Sequence, residues 1–283
     1  MKVLTRRDVV LPKRAPDSHK GQNGKVLVIG GSQEYAGAPF LVAMAALRSG
    51  ADLVRVAAPE KVAWAINAMS PDLITLKLEG KTLGPAHAAL LAEEVRWADV
   101  VVMGNGLGDS TETLTFAREM LSLPHEAVWV LDADALKAIT PETPLSRAIL
   151  TPHHGELRTL CAHAGIELSL SGKMEKDAPS LQSALRPLLA RDNVLLLKGK
   201  VDLILSSREG RLNRTGNARM TVGGTGDVLA GLCAGLAAQH IPHFSAACAA
   251  AFFNGWLGDQ LFKSMGNGFL ASDLADSIPA IFR

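Results

Sequence analysis

Short runs of aliphatic and β-branched residues alternate with longer Ala- and Leu-rich runs along most of the chain, and this alternation limits its possible folds more than any other feature. KVLVIG at 25–30 is followed by APFLVAMAALRSG, DLVRVAA, a helical stretch near Lys61, DLITLKL, GPAHAALLAEEVRWA and DVVVMG. TETLTFAREML leads into AVWVLDAD, RAILTP into GELRTLCAHAG, and a helical stretch from about Ser180 to Ala190 into NVLLLKG. The strand runs are continuously apolar, which predicts burial on both faces. Strand and helix in turn predict an α/β fold with a mainly parallel central sheet and helices on both faces.

The pattern changes after Gly199. VDLILSS and GRLNRTG read as paired strands at a sheet edge, with Arg208, Glu209 and Gly210 as the turn. From Gly226 onward the chain reads as helices, through DVLAGLCAGLAAQ, SAACAAAFFNGWLGDQLF and SDLADSIPAIF. No Pro/Gly/Ser linker divides it, so one domain is expected over 1–283.

Composition narrows the function. At 48% hydrophobic and 20% charged residues the chain suits a soluble globular protein. A net charge of +1 gives no broad pull toward nucleic acid or an anionic membrane, so an anionic ligand needs a local site. The three cysteines, Cys161, Cys233 and Cys248, form no C-x-x-C pair, which argues against a disulfide framework or a zinc site. The opening MKVLTRRDVVLPKR has no apolar run behind its basic residues, and no stretch of about 20 apolar residues follows. A cytoplasmic location with no membrane span is the expectation.

The segment TVGGTGDVLAGLCAGLAAQ carries the clearest chemical signal. Gly223, Gly224 and Gly226 precede a helical run, where glycines let backbone N–H groups turn toward one point. The helix that follows aims its positive end at the same point, which suits a phosphate. Asp227 is out of place there unless it has a chemical task, such as taking a proton from an attacking hydroxyl. Helix N-cap is the other reading of this residue. Gly30-Gly31-Ser32 and Gly104-Asn105-Gly106-Leu107-Gly108 also follow strands, where open α/β sheets bind ligands. Neither G-x-G-x-x-G nor G-x-x-x-x-G-K-[ST] occurs, which argues against a dinucleotide-binding Rossmann domain and a P-loop.

These residues carry a family resemblance. SHKGQNGKVLVIGGSQEYAGAP (18–39), ALRSGADLVRVA (46–57), GNGLG (104–108), VLDADAL (130–136), LTPHHGEL (150–157), LLLKGK (195–200) and NRTGNARMTVGGTGDVLAG (213–231) together resemble the NAD(P)H-hydrate dehydratases. The resemblance implies a ribokinase-like, three-layer αβα fold. The departures are Asn105 and His154 where Pro is usual, Asp52 in place of a small residue, and Arg214, Ala218 and Arg219 around the N-x-T-G-N turn.

The resemblance also implies a reaction: phosphorylation of the hydroxyl of the S form of NADH or NADPH hydrate from ADP or ATP, followed by loss of phosphate. Asp227 would be the catalytic base, and Ala38, Gly106, His153 and Asp227 would bind the hydrate. Lys198, Gly199, Lys200, Val201, Asp202 and Gly226 would bind the nucleotide. The N–H groups of Gly224, Thr225 and Gly226 would form the anion hole, and Glu156 would hold Mg²⁺ through water. Asp132 and Asp134 would position substrate or metal-bound water, or cap a helix. The length leaves room for the dehydratase and not for a fused epimerase, so a separate epimerase is an expected partner. A homo-oligomer, with a tetramer among the options, is expected too, because apolar helices follow Ser245. The competing readings are a small-molecule kinase of the ribokinase superfamily and a non-catalytic nucleotide sensor.

Overall fold

The computed structural model describes residues 1–168 and 174–283. In chain order the elements are β1 (Lys2–Val3), β2 (Lys25–Ile29), α1 (Gly37–Arg48), β3 (Leu53–Pro59), α2 (Glu60–Met69), β4 (Ile74–Leu78) and α3 (Ala86–Trp97). There follow β5 (Val100–Met103), α4 (Thr111–Leu121), β6 (Val128–Leu131), β7 (Ala148–Leu150), α5 (His154–His163), α6 (Met174–Ala184) and β8 (Val194–Leu197). The last are β9 (Asp202–Leu205), β10 (Gly210–Asn213), α7 (Thr225–Ala238), α8 (His243–Met265) and α9 (Ala271–Ser277).

The strands form one sheet in the order β1-β10-β9-β8-β7-β6-β5-β2-β3-β4. From β4 to β8 every pairing is parallel, and β9 alone runs against its two neighbours. Alternate side chains of a strand point to opposite faces. Val26 and Val28 of β2 therefore enter one core with α1, α7 and α8, while Leu27 and Ile29 enter the other with α3, α4 and α5. This two-sided burial is why the central strands are apolar without alternation. The central helix α7 is buried from Val228 to Ala238 and lies against α1; a Cβ on Gly231 would stand 2.2 Å from Val42 O, so only glycine allows that approach.

Three sequence expectations need correction. The helix placed at about Ser180 to Ala190 runs over Met174–Ala184 instead. Pro187 ends it early, because the residue before a proline avoids the helical region and proline itself donates no bond. The turn before β10 is formed by Ser206 to Glu209, closed by Ser206 N–H to Glu209 O at 2.9 Å, and Gly210 is already a strand residue opposite Leu205. β10 is not the edge, since β1 pairs with it in parallel. At the opposite edge, β4 departs from two-sided burial and leaves Ile74 exposed. Among the described residues no helix is long and apolar enough to cross a membrane.

Candidate active site

The chain leaves β2 toward β3 and β4 on one side and returns as β5 on the other. Such a reversal opens a crevice at the strand C-terminal ends, where α/β sheets place ligands. Here the loops after β2 and β5 meet, with Gly31 N–H donating to Asn105 O at 3.0 Å. Ala38 and Gly106 share this side: a Cβ on Gly106 would stand 3.3 Å from Ala38 Cβ and 2.7 Å from Tyr35 Cβ.

The glycine turn lies beside the residue that follows β8: a Cβ on Gly226 would stand 3.4 Å from Lys198 Nζ. Gly224 is the N-cap of α7 with φ +95°, a conformation that favours glycine. A side chain there would meet Ala271 and Leu41 at 2.7 Å. Val228 N–H bonds back to Gly224 O at 3.0 Å, so the amides just before it have no partner inside the helix, and Thr225 N–H makes only a long contact of 3.5 Å to Val222 O. Asp227 is the third residue of α7 and not its cap, which removes the capping alternative.

Around Asp227 three charged groups, Asp132, Lys198 and Glu156, and the Asn105 amide gather from four segments of the chain. Asn105 Nδ2 donates to Asp227 Oδ1 at 2.6 Å and to Asp132 Oδ2 at 2.9 Å. Lys198 Nζ donates to Asp132 Oδ1 at 2.7 Å and lies 3.7 Å from Glu156 Oε2. Burial raises the Asp227 carboxyl to about 6, against the Asn105 hydrogen bond; Asp132 and Glu156 add to the rise and Lys198 opposes it. For Lys198, burial works against the charge, but Asp132 and Glu156 outweigh it and hold the ammonium above its ordinary range. Asp134 stands apart, accepting from Gly108 N–H at 2.9 Å and pairing with Lys137. The two aspartates of VLDADAL thus separate: Asp132 joins the cluster and Asp134 braces a loop.

His153 is the N-cap of α5. Its Nδ1 accepts from Gly155 N–H at 3.0 Å and Glu156 N–H at 3.1 Å, and Glu156 Oε2 accepts from His153 N–H at 2.7 Å. Backbone N–H groups only donate, so Nδ1 is unprotonated and the neutral ring carries its proton on Nε2. Nε2 lies 3.5 Å from Glu156 Oε1 on an exposed ring, within reach of a ligand. The H-x-x-E spacing mimics the capping box of S/T-x-x-E and was legible in the sequence.

A cavity of about 1680 Å³ opens beside the cluster. Its walls include His153, the run Lys198 to Asp202, and the turn Gly223 to Gly226. Asp202 forms part of its floor; burial lifts its carboxyl to about 6 despite hydrogen bonds from Asn213 Nδ2 at 2.9 Å and Gly199 N–H at 3.0 Å. Ala38 and Gly106 do not line this cavity; Gly106 adjoins Asn105, which reaches Asp227. Glu156 faces a smaller recess of about 260 Å³ with His153 and Lys137. The departures also find places: Asp52 accepts from Gly21 N–H at 2.8 Å and Asn23 N–H at 3.0 Å, and His154 and Arg214 line the cavity. Sequence reasoning missed Asn105 as a site residue, and missed Asn254 at the cavity wall, whose buried Oδ1 has no partner among the described residues.

The model of the family described as NAD(P)H-hydrate dehydratase matches residues 26–280. The chain belongs to that family. It is 44% identical over 276 residues to the bifunctional NAD(P)H-hydrate repair enzyme Nnr of Methanothermobacter thermautotrophicus, covering 96% of this chain and 52% of that protein. The chain therefore spans about half the length of the first curated relatives it matches. The ADP-dependent (S)-NAD(P)H-hydrate dehydratase of Cenarchaeum symbiosum is 35% identical over 277 residues, covering 96% of this chain and 93% of that protein. Among solved structures, an ADP/ATP-dependent NAD(P)H-hydrate dehydratase of Bacillus subtilis, co-crystallized with ATP and Mg²⁺, superposes with TM-score 0.78 at 26% identity, over 96% of this chain and 93% of that one. A ribokinase-like superfamily protein of Enterococcus faecalis superposes with TM-score 0.81 at 25% identity, over 99% and 94%. The fold of this dehydratase-family chain is ribokinase-like, with the three αβα layers described above.

Proposed function

We propose that the chain catalyses ADP- or ATP-dependent dehydration of the S form of NADH or NADPH hydrate, releasing the dihydronicotinamide, phosphate and AMP or ADP. The observation that carries the reading is the position of Asp227: a part-buried carboxylate in the first turn of an open helix whose Gly224 and Gly226 line the large cavity, tied through Asn105 to the loop that carries Gly106. The nucleotide occupies the cavity along Lys198 to Asp202, and the damaged ring enters from the crevice.

Hydroxide is a poor leaving group and phosphate a good one. Asp227 takes the proton of the ring hydroxyl as that oxygen bonds to the terminal phosphorus and the nucleotide's bridging P–O bond breaks. The amides of Gly224, Thr225 and Gly226 hold the charge that grows on the transferred group. The ring C–O bond then breaks with departure of phosphate, and loss of a ring proton restores the dihydronicotinamide. His153 Nε2–H donates to the substrate.

Mg²⁺ fits the donors present. It binds nucleotide phosphates with one or two carboxylates and several waters, so it needs no protein cage. Among the described residues no cluster of three or more His, Cys, Asp or Glu forms one. Glu156 would hold the ion through water, and the ion supplies charge neutralisation on the phosphates.

The cytoplasm, a separate epimerase for the other form of the hydrate, and a homo-oligomer belong to the same proposal. The last rests on Phe262, Met265, Leu270 and Phe282, left exposed on α8 and after it. The test is to mix the protein with hydrated NADH, Mg²⁺ and ADP or ATP and follow the dihydronicotinamide absorbance. It returns only with a nucleotide present; return at full rate without one contradicts the proposal.

A further inference from the structure

Asn105 lies between two carboxylates that the chain brings together from far apart, 27 residues away at Asp132 and 122 residues away at Asp227. It is 1% exposed. Each of its two Nδ2–H groups has its own acceptor, so the donor side of the amide is fully used. The amide cannot be turned over, because its oxygen would then face two carboxylates. Its orientation is thereby fixed, and the consequence shows at the other end: Oδ1 is buried with no hydrogen-bond partner among the described residues. Folded chains leave few polar atoms in that condition, and those they leave call for an explanation.

The explanation lies in what the amide does to Asp227. One oxygen, Oδ1, is held by Asn105. The other, Oδ2, is turned toward the glycine turn and stands 4.0 Å from where a Cβ on Gly224 would be. No described residue donates a hydrogen bond to it. Asp132 is similarly divided, with Oδ1 on Lys198 and Oδ2 on Asn105. Lys198 thus fixes Asp132, Asp132 and the backbone fix Asn105, and Asn105 fixes the rotation of the Asp227 carboxylate.

We infer that Asn105 is a positioning residue that locks the Asp227 carboxylate, so that Oδ2 is the atom that takes the proton. The inference rests on the proposed reaction for its catalytic meaning, but the lock itself is a property of the folded chain. The groups facing Asp227 are Asn105, Asp132, Lys198 and Glu156. Of these, Asn105 is the one that donates a hydrogen bond to it. Removing the amide leaves the carboxylate free to rotate and leaves Asp132 and Glu156 to oppose its charge.

The experiment replaces Asn105 by Ala and, to keep the volume, by Leu. Two quantities are measured beside the wild type: hydrate turnover over a pH series, and the titration of the Asp227 carboxyl carbon by NMR in labelled protein. The expected result in both variants is a fall in kcat of roughly tenfold to 10²-fold, as misplacement of a reacting group produces. The KM for nucleotide stays within about twofold, since Asn105 does not line the cavity. The Asp227 titration and the acid limb of kcat both move to higher pH. Unchanged kcat with an unmoved titration overturns the inference, as does a kcat loss matched by an equal rise in KM. Should the wild type turn over no hydrate, the proposed reaction fails, and the NMR titration still decides the lock on its own. If one variant does not fold, the other carries both measurements.

Discussion

Two helices begin beside the same cavity and end their first turns in opposite ways. α5 is closed by its own residues: His153 takes the amides of Gly155 and Glu156, and Glu156 takes the amide of His153. α7 is left open: its N-cap is a glycine with no side chain to offer, and no side chain of the described residues caps it. Both ends carry the positive pole of a helix, so the dipole alone does not choose between them. What distinguishes them is whether the amides are already satisfied. Only α7 has donors to spare for a phosphoryl group; each helix carries a part-buried carboxylate in its first turn, but Glu156 is tied to the amide of His153 while Asp227 is free of its own helix end. A closed helix end fixes the side chains near it, whereas an open one binds.

The largest expected effect comes from the open end. Asp227→Asn keeps shape and polarity but removes the base, and turnover should fall by at least about 10²-fold, the range of general-base catalysis. Nucleotide affinity should hold or rise, because a negative charge beside phosphate is gone. Since Asp227 is not a cap, the thermal midpoint should not drop. Initial rates and melting curves check this, and retention of more than about a tenth of the rate, a barrier change under about 1.4 kcal/mol, removes Asp227 from the role.

A smaller effect follows from the carboxyl's displaced pKa of about 6. A base must be ionised to act, so kcat should rise with pH below about 6 and level off above it. Far below that value it should fall about tenfold per pH unit, which a buffered rate series measures. A limb near the ordinary aspartate value would mean that Asp227 is better solvated in action than in this structure.

The closed end gives the smallest effect, and one that separates its two tasks. His153→Ala should cost about 1 kcal/mol of stability, the usual loss of an N-cap. His153→Asn should keep most of that stability, because Asn caps well, yet raise the KM for hydrate by losing the Nε2–H donor. Equal KM values for wild type and His153→Asn would confine His153 to capping.

The same contrast explains what the sequence shows by itself. The buried strands and α7 stand out because burial on two faces demands unbroken apolar runs such as VVVM and VLLL. β1, two residues long, is too short to carry a pattern, and Pro187 rather than the apolar period decides where α6 ends. The glycine turn, Asp227 and the run Lys198 to Asp202 are local features and appear in the sequence as such. Asn105 is not legible that way, because its meaning depends on partners 27 and 122 residues away. Asp227 was ambiguous because aspartate and glycine both serve as N-caps, and only the backbone shows that Gly224 fills the position.

The central claim is that the leaving group is made by phosphorylating the ring hydroxyl at the open end of α7. Hydrated NADH carrying ¹⁸O in that hydroxyl tests it most directly. With ADP or ATP and Mg²⁺, the hydroxyl oxygen bonds to phosphorus before its bond to the ring breaks, so the released phosphate should carry one ¹⁸O for each NADH formed. Unlabelled phosphate, with the ¹⁸O recovered in water, would show that the hydroxyl leaves without being phosphorylated and would contradict the account.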